Sequence, residues 1–466
     1  MSRIMRLGGL DGLVRLRTVK DGQDAADLGL DSRYVTFDSA WNSSLRLLSN
    51  GVAPAASLST RVTTYSYFPG MTSGARTSRV LSFAGSNALR PTLAWQRRET
   101  GAIRYTPAGY PLGVPSPAPT AYQRAYGVCA VTLRNGEILL SPSKSGVDYV
   151  YYVFGNDGSG PEIGGANSGR FGTHPVYGPG LFIARPGYDR LTASLDDMML
   201  STHRNVFQIA ETGIAFADLY TGGGSFLPFS AIDTDPFPEY FGTSPSQLRS
   251  AKIVNLTGSY PDFPPVIAFS TDTGFQHQCS VFWTSPSQFI IAGAPRATVG
   301  MRWAVVATDP EYQGGVDTAR THRIRMSPDR GLDITKHDIN LLDAGETDYI
   351  FRSRRLTPRL AAFDAILTST PSADYAIPSP PPVGAGLPFV FFLLDDTFAL
   401  SGGGRWCGCG MVQMQDIATT GGPSPPYMQS QFRAAVVSRT VYRWYRQSGV
   451  STNSFGWAAT MNVSDF

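Results

Sequence analysis

The stretch VRLRTVKDGQDAADLGLDS (residues 14–32) combines a short alternating strand, a tight turn and an aliphatic-acidic pair, and related stretches occur twice more. These are LFIARPGYDRLTASLDD (residues 181–197) and HRIRMSPDRGLDITKHDIN (residues 322–340). In each, a Gly precedes an Asp by two residues, and an acid or amide preceded by an aliphatic residue lies seven residues after that Asp. The matching positions are Gly22, Asp24, Leu30 and Asp31, then Gly187, Asp189, Leu195 and Asp196, then Gly331, Asp333, Ile339 and Asn340.

Each Gly is expected to adopt positive φ, and each Asp to bond nearby backbone N–H groups in an Asx turn. An alternating apolar strand with an arginine precedes each set, for example Val14-Arg15-Leu16 and Ile324-Arg325-Met326. The nine positions Gly22, Asp24, Asp31, Gly187, Asp189, Asp196, Gly331, Asp333 and Asn340 are therefore predicted to be structural turn residues of a repeated unit.

Further along each segment, a proline precedes a dense apolar run that is typical of a strand buried on both faces. The prolines are Pro91, Pro265 and Pro388. A second apolar strand follows at Ala130-Val131, Ala304-Val305 and Ala434 to Val437. This order predicts three related modules in tandem: residues 1–145, residues 146–310, and residues 311–466 with a C-terminal extension.

The composition favours an all-β chain. Gly (49) and Pro (34) make up 83 of the 466 residues, well above the usual share of about 12%. They separate short apolar runs without a Gly-X-Y period, which indicates many strands joined by turns and excludes collagen. The sequence therefore predicts β-sandwich-like modules. Residues 433–446 alternate regularly and predict one long, half-exposed strand.

Charge and hydropathy exclude two classes of partner. The formal net charge is +3, without the basic stripe that is typical of nucleic-acid binders. The most apolar stretch, Leu387 to Leu394, is far shorter than the ~20 residues of a membrane helix. Residues 1–17 are interrupted by charges and carry no apolar signal region. We therefore expect a protein made in the cytoplasm, with no nucleic-acid partner and no membrane insertion.

The sequence offers no constellation of catalytic, cofactor-binding or metal-binding residues. His277 and Cys279 share one strand face, but no second close pair completes a tetrahedral set. Asp395 and Asp396 are adjacent in a strand and point to opposite faces, so they cannot act across a sugar. Neither a GxSxG elbow nor an HExxH motif is present. We predict that the chain is not an enzyme and has no cofactor.

The four cysteines are too sparse for a disulfide framework. Free or buried thiols and disulfides between subunits both stay open as interpretations. The positions are Cys129, Cys279, Cys407 and Cys409.

Two segments resemble a known family. FDSAWNSSLRLLSNG (residues 37–51) and RPGYDRLTASLDDMMLSTHRNVFQIAETG (residues 185–213) are similar to repeats in minor tail and other virion proteins of siphophages that infect alphaproteobacteria and pseudomonads. The resemblance covers about a quarter of the chain. It implies a structural protein of the tail tip, neck or fibre region, located in the virion, that assembles with itself and with other virion proteins. The third segment departs from the pattern at Asn340.

Two hypotheses of different classes follow. In the first, the chain is a structural assembly protein of a tailed-phage particle, as three similar modules favour. In the second, it is a receptor-binding adhesin that contacts a glycan or protein of the host surface. Exposed aromatic clusters would favour the adhesin, and Tyr149, Tyr151 and Tyr152 are candidates.

Overall fold

A computed structural model shows how the three segments fold. It describes residues 5–10, 13–27, 29–30, 34–39, 46–65, 74–82, 92–98, 104–107, 129–133, 137–141, 148–155, 169–184, 188–189, 191–216, 250–272, 275–294, 300–314, 323–327, 330–367, 372–376, 389–395, 405–408, 432–438, 440–446 and 455–462. These residues form strands and short 3-10 turns, which confirms the prediction of an all-β fold.

In chain order the strands fall into three groups, which we call repeats because each group opens with a three-stranded meander. The first repeat contains β1 (Met5–Leu10), β2 (Leu13–Val19), β3 (Val35–Asp38), β4 (Leu47–Pro54), β5 (Ser59–Tyr65), β6 (Gly74–Ser82), β7 (Thr92–Arg98), β8 (Arg104–Pro107), β9 (Cys129–Leu133), β10 (Glu137–Ser141) and β11 (Asp148–Phe154). The second contains β12 (Gly169–His174), β13 (Gly178–Ala184), β14 (Met198–Ser201), β15 (Ile209–Phe216), β16 (Ser250–Asn255), β17 (Val266–Asp272), β18 (Phe275–Gln278), β19 (Ser280–Ser285), β20 (Gln288–Ala294) and β21 (Gly300–Val306).

The third contains β22 (Ile324–Ser327), β23 (Gly331–Thr335), β24 (Tyr349–Arg352), β25 (Arg359–Leu367), β26 (Ser372–Ala376), β27 (Phe389–Asp395), β28 (Arg405–Gly408), β29 (Phe432–Ser438), β30 (Val441–Arg446) and β31 (Phe455–Asn462). Turns of 3-10 helix lie at Ala55–Ser57, Leu195–Asp197 and Glu346–Asp348.

Each repeat opens with a three-stranded antiparallel meander, and the three meanders are β1-β2-β3, β12-β13-β14 and β22-β23-β24. In every meander the pairing of the second and third strands shifts by one residue near the start of the third strand. The bulge therefore falls at the same place in all three, which puts Leu16, Leu181 and Leu332 at corresponding positions.

A recurring side-chain contact confirms this register. The hydroxyl that follows each third strand accepts a hydrogen bond from the backbone N–H of the corresponding leucine. The pairs are Ser39 with Leu16 at 3.0 Å, Thr202 with Leu181 at 3.3 Å and Ser353 with Leu332 at 3.0 Å. Each hydroxyl residue also donates its own backbone N–H to the carbonyl of the same leucine.

The remaining strands form three large sheets, and each sheet is shared by two repeats. Their strand orders are β16-β20-β19-β8-β7-β11-β4, β15-β21-β17-β18-β29-β30-β26 and β25-β31-β27-β28-β9-β10-β6-β5. In all three, the first strand after a meander lies beside the last strand of its repeat. The junctions are β8 with β19, β18 with β29 and β28 with β9. The first repeat thus joins the second, the second joins the third, and the third returns to the first.

This cyclic sharing gives the described part of the chain a pseudo-threefold arrangement. Backbone bonds between repeats follow the same cycle: Val206 N–H donates to the Ile350 carbonyl at 3.3 Å, and Thr357 N–H donates to the Thr36 carbonyl at 3.0 Å. Ile350 and Thr36 are both the bulge residues of their meanders.

The meanders pack against one another in a single apolar cluster, which we call the axial core. It contains Met5, Leu16, Phe37, Leu181, Ile183, Met199, Leu200, Val206, Leu332, Ile334, Ile350 and Phe351. All three repeats contribute, and the rings of Phe37 and Phe351 meet edge to face at a centroid distance of 5.4 Å. A larger core lies between two of the shared sheets and includes Trp95, Tyr152, Phe269 and Trp283.

Three details differ from the sequence predictions. The strand β11 pairs with β4 and β7, so the first repeat extends past the predicted division at residue 145. Ala304-Val305 lies in β21, whereas Ala130-Val131 lies in β9, so these pairs do not correspond. The alternating residues 433–446 form the hairpin β29–β30 instead of one strand.

Candidate functional site

In the first two repeats, the predicted aspartates form Asx turns. Gly22 has a φ of +84°, in the left-handed region that favours glycine. The Asp24 carboxylate accepts the Ala26 N–H at 2.9 Å, and the Asp189 carboxylate accepts the Leu191 N–H at 2.8 Å. Asp31 and Gly187 lie outside the described residues, and Asp196 lies in the 3-10 turn Leu195–Asp197.

The third set of turn residues needs a correction. Gly331 has the expected positive φ, +83°, but it is the first residue of β23, and neither it nor Asp333 lies in the turn that follows this strand. Counted from the ends of β2 and β23, the position of Gly22 is occupied by Asp338, whose φ of +60° is also left-handed. The position of Asp24 is occupied by Asn340, whose side-chain oxygen accepts the Leu342 N–H at 3.1 Å. Because Asp tolerates this conformation, a Gly was not required there, and the sequence match was displaced by seven residues.

Asp333 instead belongs to a group of charged residues in the third meander. Its buried carboxylate contacts Arg325 and lies 4.0 Å from the guanidinium of Arg352. The carboxylate of Glu346 lies 2.7 Å from Arg352 and 2.7 Å from Arg355. Burial alone would raise the pKa of Glu346, but the hydrogen bonds and charges of Arg355 and Arg352 outweigh it and lower that pKa.

A second carboxylate lies near this group. Glu211 accepts backbone N–H groups from Thr257 at 2.9 Å and Gly258 at 3.2 Å, and the hydroxyl of Tyr260 at 3.3 Å. Burial, followed by the charges of Glu211 and Glu346, raises the pKa of Tyr260. The hydroxyl therefore keeps its proton at neutral pH. Both carboxylates are engaged, Glu211 in holding residues 257–260 and Glu346 in pairing with arginines.

Buried amides connect the repeats, and no sequence pattern points to them. Gln208 donates to the Arg352 carbonyl at 3.1 Å and accepts the Arg352 N–H at 2.8 Å, which joins the second repeat to the third. Asn50 of β4 donates to the carbonyls of Pro310 at 2.8 Å and Tyr312 at 3.0 Å. Asn205 donates to the same Tyr312 carbonyl at 2.9 Å. Asn50 of the first repeat and Asn205 of the second thus hold the segment at residues 310–312, whereas Gln208 joins the second repeat to the third.

Three of the five histidines lie in one aromatic column. The His174 ring stacks on Tyr177 at 4.5 Å, and the His203 ring stacks on Phe182 at 5.5 Å. The rings of His203 and His337 are 6.0 Å apart. No group of three or more His, Cys, Asp or Glu that could hold a metal ion occurs among the described residues.

Other predicted candidates are placed as follows. Cys279 is a buried thiol, and β18, which contains His277, ends one residue before it. Asp395 ends β27, and Asp396 lies outside the described residues. Tyr149, Tyr151 and Tyr152 are buried, so they do not form the exposed aromatic cluster expected of an adhesin. In the part of the chain described, no helix is long and apolar enough to cross a membrane.

The exposed large apolar side chains include one from each meander, near the end where its first hairpin turns. Leu7 of β1 is 42% exposed, Val176 of the β12–β13 hairpin is 76% exposed, and Met326 of β22 is 48% exposed.

The three repeats are therefore joined both by shared sheets and by buried polar side chains. Comparisons with protein-family models, curated proteins and solved structures gave no match to this chain.

Proposed function

We propose that the chain is a structural component of a tailed-phage particle, at the tail tip, neck or fibre region, that acts by protein–protein assembly. The observation that carries the proposal is the sharing of every large sheet between two repeats. Such sharing makes the described repeats one interdependent body, which suits a part that transmits force or fixes the position of its neighbours. The placement in a virion rests on the resemblance of residues 37–51 and 185–213.

The use of the buried polar groups supports assembly over catalysis. The buried side-chain amides donate hydrogen bonds to backbone carbonyls of other segments, as Gln208, Asn50 and Asn205 show. The low-pKa carboxylate of Glu346 is neutralised by two arginines, whereas a general acid or base usually has its pKa close to the working pH. These groups hold the fold together, and the partners of the proposal are other virion proteins and further copies of this chain.

Deletion of the gene from the phage genome tests the proposal. We expect particles that are incomplete at the tail or neck in negative-stain electron micrographs, and restoration of complete particles by the full-length chain supplied in trans. Mass spectrometry of purified wild-type particles should detect the protein.

Two outcomes would overturn the proposal. Complete particles that fail to adsorb, with adsorption of wild-type particles blocked by the free protein, would establish the adhesin instead. Cleavage of a host polysaccharide by the purified chain would establish an enzyme.

A further inference from the structure

Two exposed apolar side chains lie on the outer strand of a shared sheet. The strand β15 pairs with β21, and none of the described strands lies on its other side, apart from the bridge of Ile209 with Leu356. Ile214 is 46% exposed and Phe216 is 62% exposed. Because they are two residues apart in the strand, both side chains lie on the same face of the sheet.

A glycine in the neighbouring strand brings these two side chains together. Gly300 of β21 is the pairing partner of Phe216. A Cβ at Gly300 would lie 3.2 Å from Cγ2 of Ile214 and 3.4 Å from the ring of Phe216, so both side chains cover the backbone of this glycine. Ile214 and Phe216 thus form one continuous apolar surface.

A half-buried arginine borders this apolar surface. Arg302 of β21 is paired with Ile214 on one side and with Phe269 on the other, so the three side chains lie in a row on one face of the sheet. Phe269 is fully buried in the larger core, whereas Ile214 is exposed, which places Arg302 at the boundary between the core and the solvent. Nη1 of Arg302 is buried and has no hydrogen-bond partner.

The guanidinium of Arg302 therefore loses water without a compensating contact. Burial lowers its pKa, and no carboxylate of the described residues acts against that shift. An arginine side chain nevertheless stays protonated in proteins, so the positive charge remains. A carboxylate that accepts from this guanidinium would supply the missing partner. The charge thus selects what can cover the neighbouring apolar side chains.

We infer that the surface of Ile214, Phe216 and Arg302 binds an extended segment of a partner protein, in which a carboxylate lies between apolar side chains. The inference rests on the proposed function, because it names a contact through which the assembly protein holds a neighbour. The carboxylate accepts a hydrogen bond from Nη1 of Arg302, and apolar side chains two residues before and after it cover Ile214 and Phe216. An extended segment fits because the surface follows an outer strand, beside which another strand can lie.

Fluorescence anisotropy of labelled peptides added to the full-length chain tests the inference. The probe is the peptide Thr-Phe-Thr-Asp-Thr-Val, whose Phe, Asp and Val side chains lie on one face of an extended backbone. The reference is the same peptide with Asn in place of Asp. We expect the Asp peptide to bind about tenfold or more tightly than the Asn peptide, because a charge-assisted hydrogen bond is stronger than a neutral one.

Variants of the surface separate the charged contact from the apolar contact. Arg302→Gln should abolish the preference for the Asp peptide, and Arg302→Glu should transfer the preference to a peptide with Lys in place of Asp. Phe216→Ser should weaken the Asp and Asn peptides by the same factor. Arg330→Gln is the matched control: it makes the same change of charge at an exposed residue of the turn before β23 and should leave the preference unchanged.

The comparison of the two peptides on the wild-type chain does not depend on the folding of any variant. Equal binding of the Asp and Asn peptides by the wild-type chain overturns the inference, and so does a preference that a folded Arg302→Gln variant retains. A chain that is required for complete particles but shows no preference overturns only this inference. A chain that prefers the Asp peptide but is absent from purified particles overturns the proposed function and not the binding surface.

Discussion

The hydroxyl oxygen of Ser353 accepts the buried backbone N–H of Leu332 at 3.0 Å, and Ser39 makes the same contact with Leu16 in the first repeat. Both leucines lie in the axial core, where no water replaces a lost partner. Thr202 makes the same contact in the second meander. In every meander, this hydrogen bond therefore ties the central strand to the residue that follows the third strand.

Removal of these hydroxyls should destabilise the chain by similar amounts in different repeats. Ser39→Ala and Ser353→Ala each leave a buried N–H without its side-chain partner, which costs about 1–3 kcal/mol. Urea unfolding of the two variants measures the cost. Ser57→Ala is the control, because its hydroxyl bonds an exposed carbonyl and should change stability by less than about 0.5 kcal/mol. A large loss in one repeat and none in the other would contradict the structural equivalence.

A β-branched residue at Gly22 should destabilise the first meander. The φ of +84° is strained for any residue with a Cβ, although no atom lies within 4 Å of the Cβ position. Gly22→Val should therefore cost about 1 kcal/mol or more through backbone strain alone. Gly22→Asn should cost less, because Asn enters the left-handed region more readily. Equal losses for both variants in thermal unfolding would show that the turn is not left-handed.

Acid should lower the stability of the fold by protonating Glu346. Its pKa is lower in the folded chain than its ordinary value of 4.5, so its carboxylate stabilises the fold above that pH. This contribution is lost as the pH falls below 4.5 and through the folded-state pKa. Glu346→Gln should therefore lower stability at pH 7 and flatten its fall in acid. The midpoint of thermal unfolding between pH 7 and pH 3 measures both effects.

An exposed pair supplies the control for that experiment. Asp374 has a pKa lowered by its hydrogen bonds with Arg443, but solvent screens this pair. Asp374→Asn should leave the acid dependence of stability unchanged. A pH profile altered by Asp374→Asn and not by Glu346→Gln would contradict the role given to Glu346.

Unfolding should be one transition, because each large sheet contains strands of two repeats. Gln208→Leu removes the buried amide that joins the second and third repeats and should cost about 2–3 kcal/mol. The variant should shift the whole calorimetric transition instead of releasing one repeat. Gln288→Ala, which loses only exposed hydrogen bonds to Asn255 and Thr284, is the control. Separate transitions for the repeats in the wild-type chain would contradict the shared sheets.

The turns at Asp24 and Asp189 could be predicted from sequence because turn chemistry is local. Gly22 and Asp24 act within a few residues, so their spacing is visible in the chain and recurs at Asp189. The third turn was displaced because Asp338 and Asn340 satisfy the same backbone demands with different side chains. A local sequence pattern thus predicts the type of turn more reliably than the residues that form it.

The sheet sharing could not be predicted in this way. The bridge from Phe275 to Ala435 joins strands about 160 residues apart, and neither strand carries a signal for the other. The role of Gln208 could not be predicted either, because the backbone groups of Arg352 that it bonds come close only in the folded chain. Alternation at residues 433–446 fixed the faces of the strands but not the hairpin turn within them.

The pairing of β9 with β28 has a consequence for synthesis. Ala130, in β9, leaves the ribosome long before Cys407, its partner in β28, has been made. During that interval the strand edge of β9 is open to pairing with other nascent chains. Translation speed and chaperone access should therefore affect the yield of native protein, because the unfinished chain is the species exposed to aggregation.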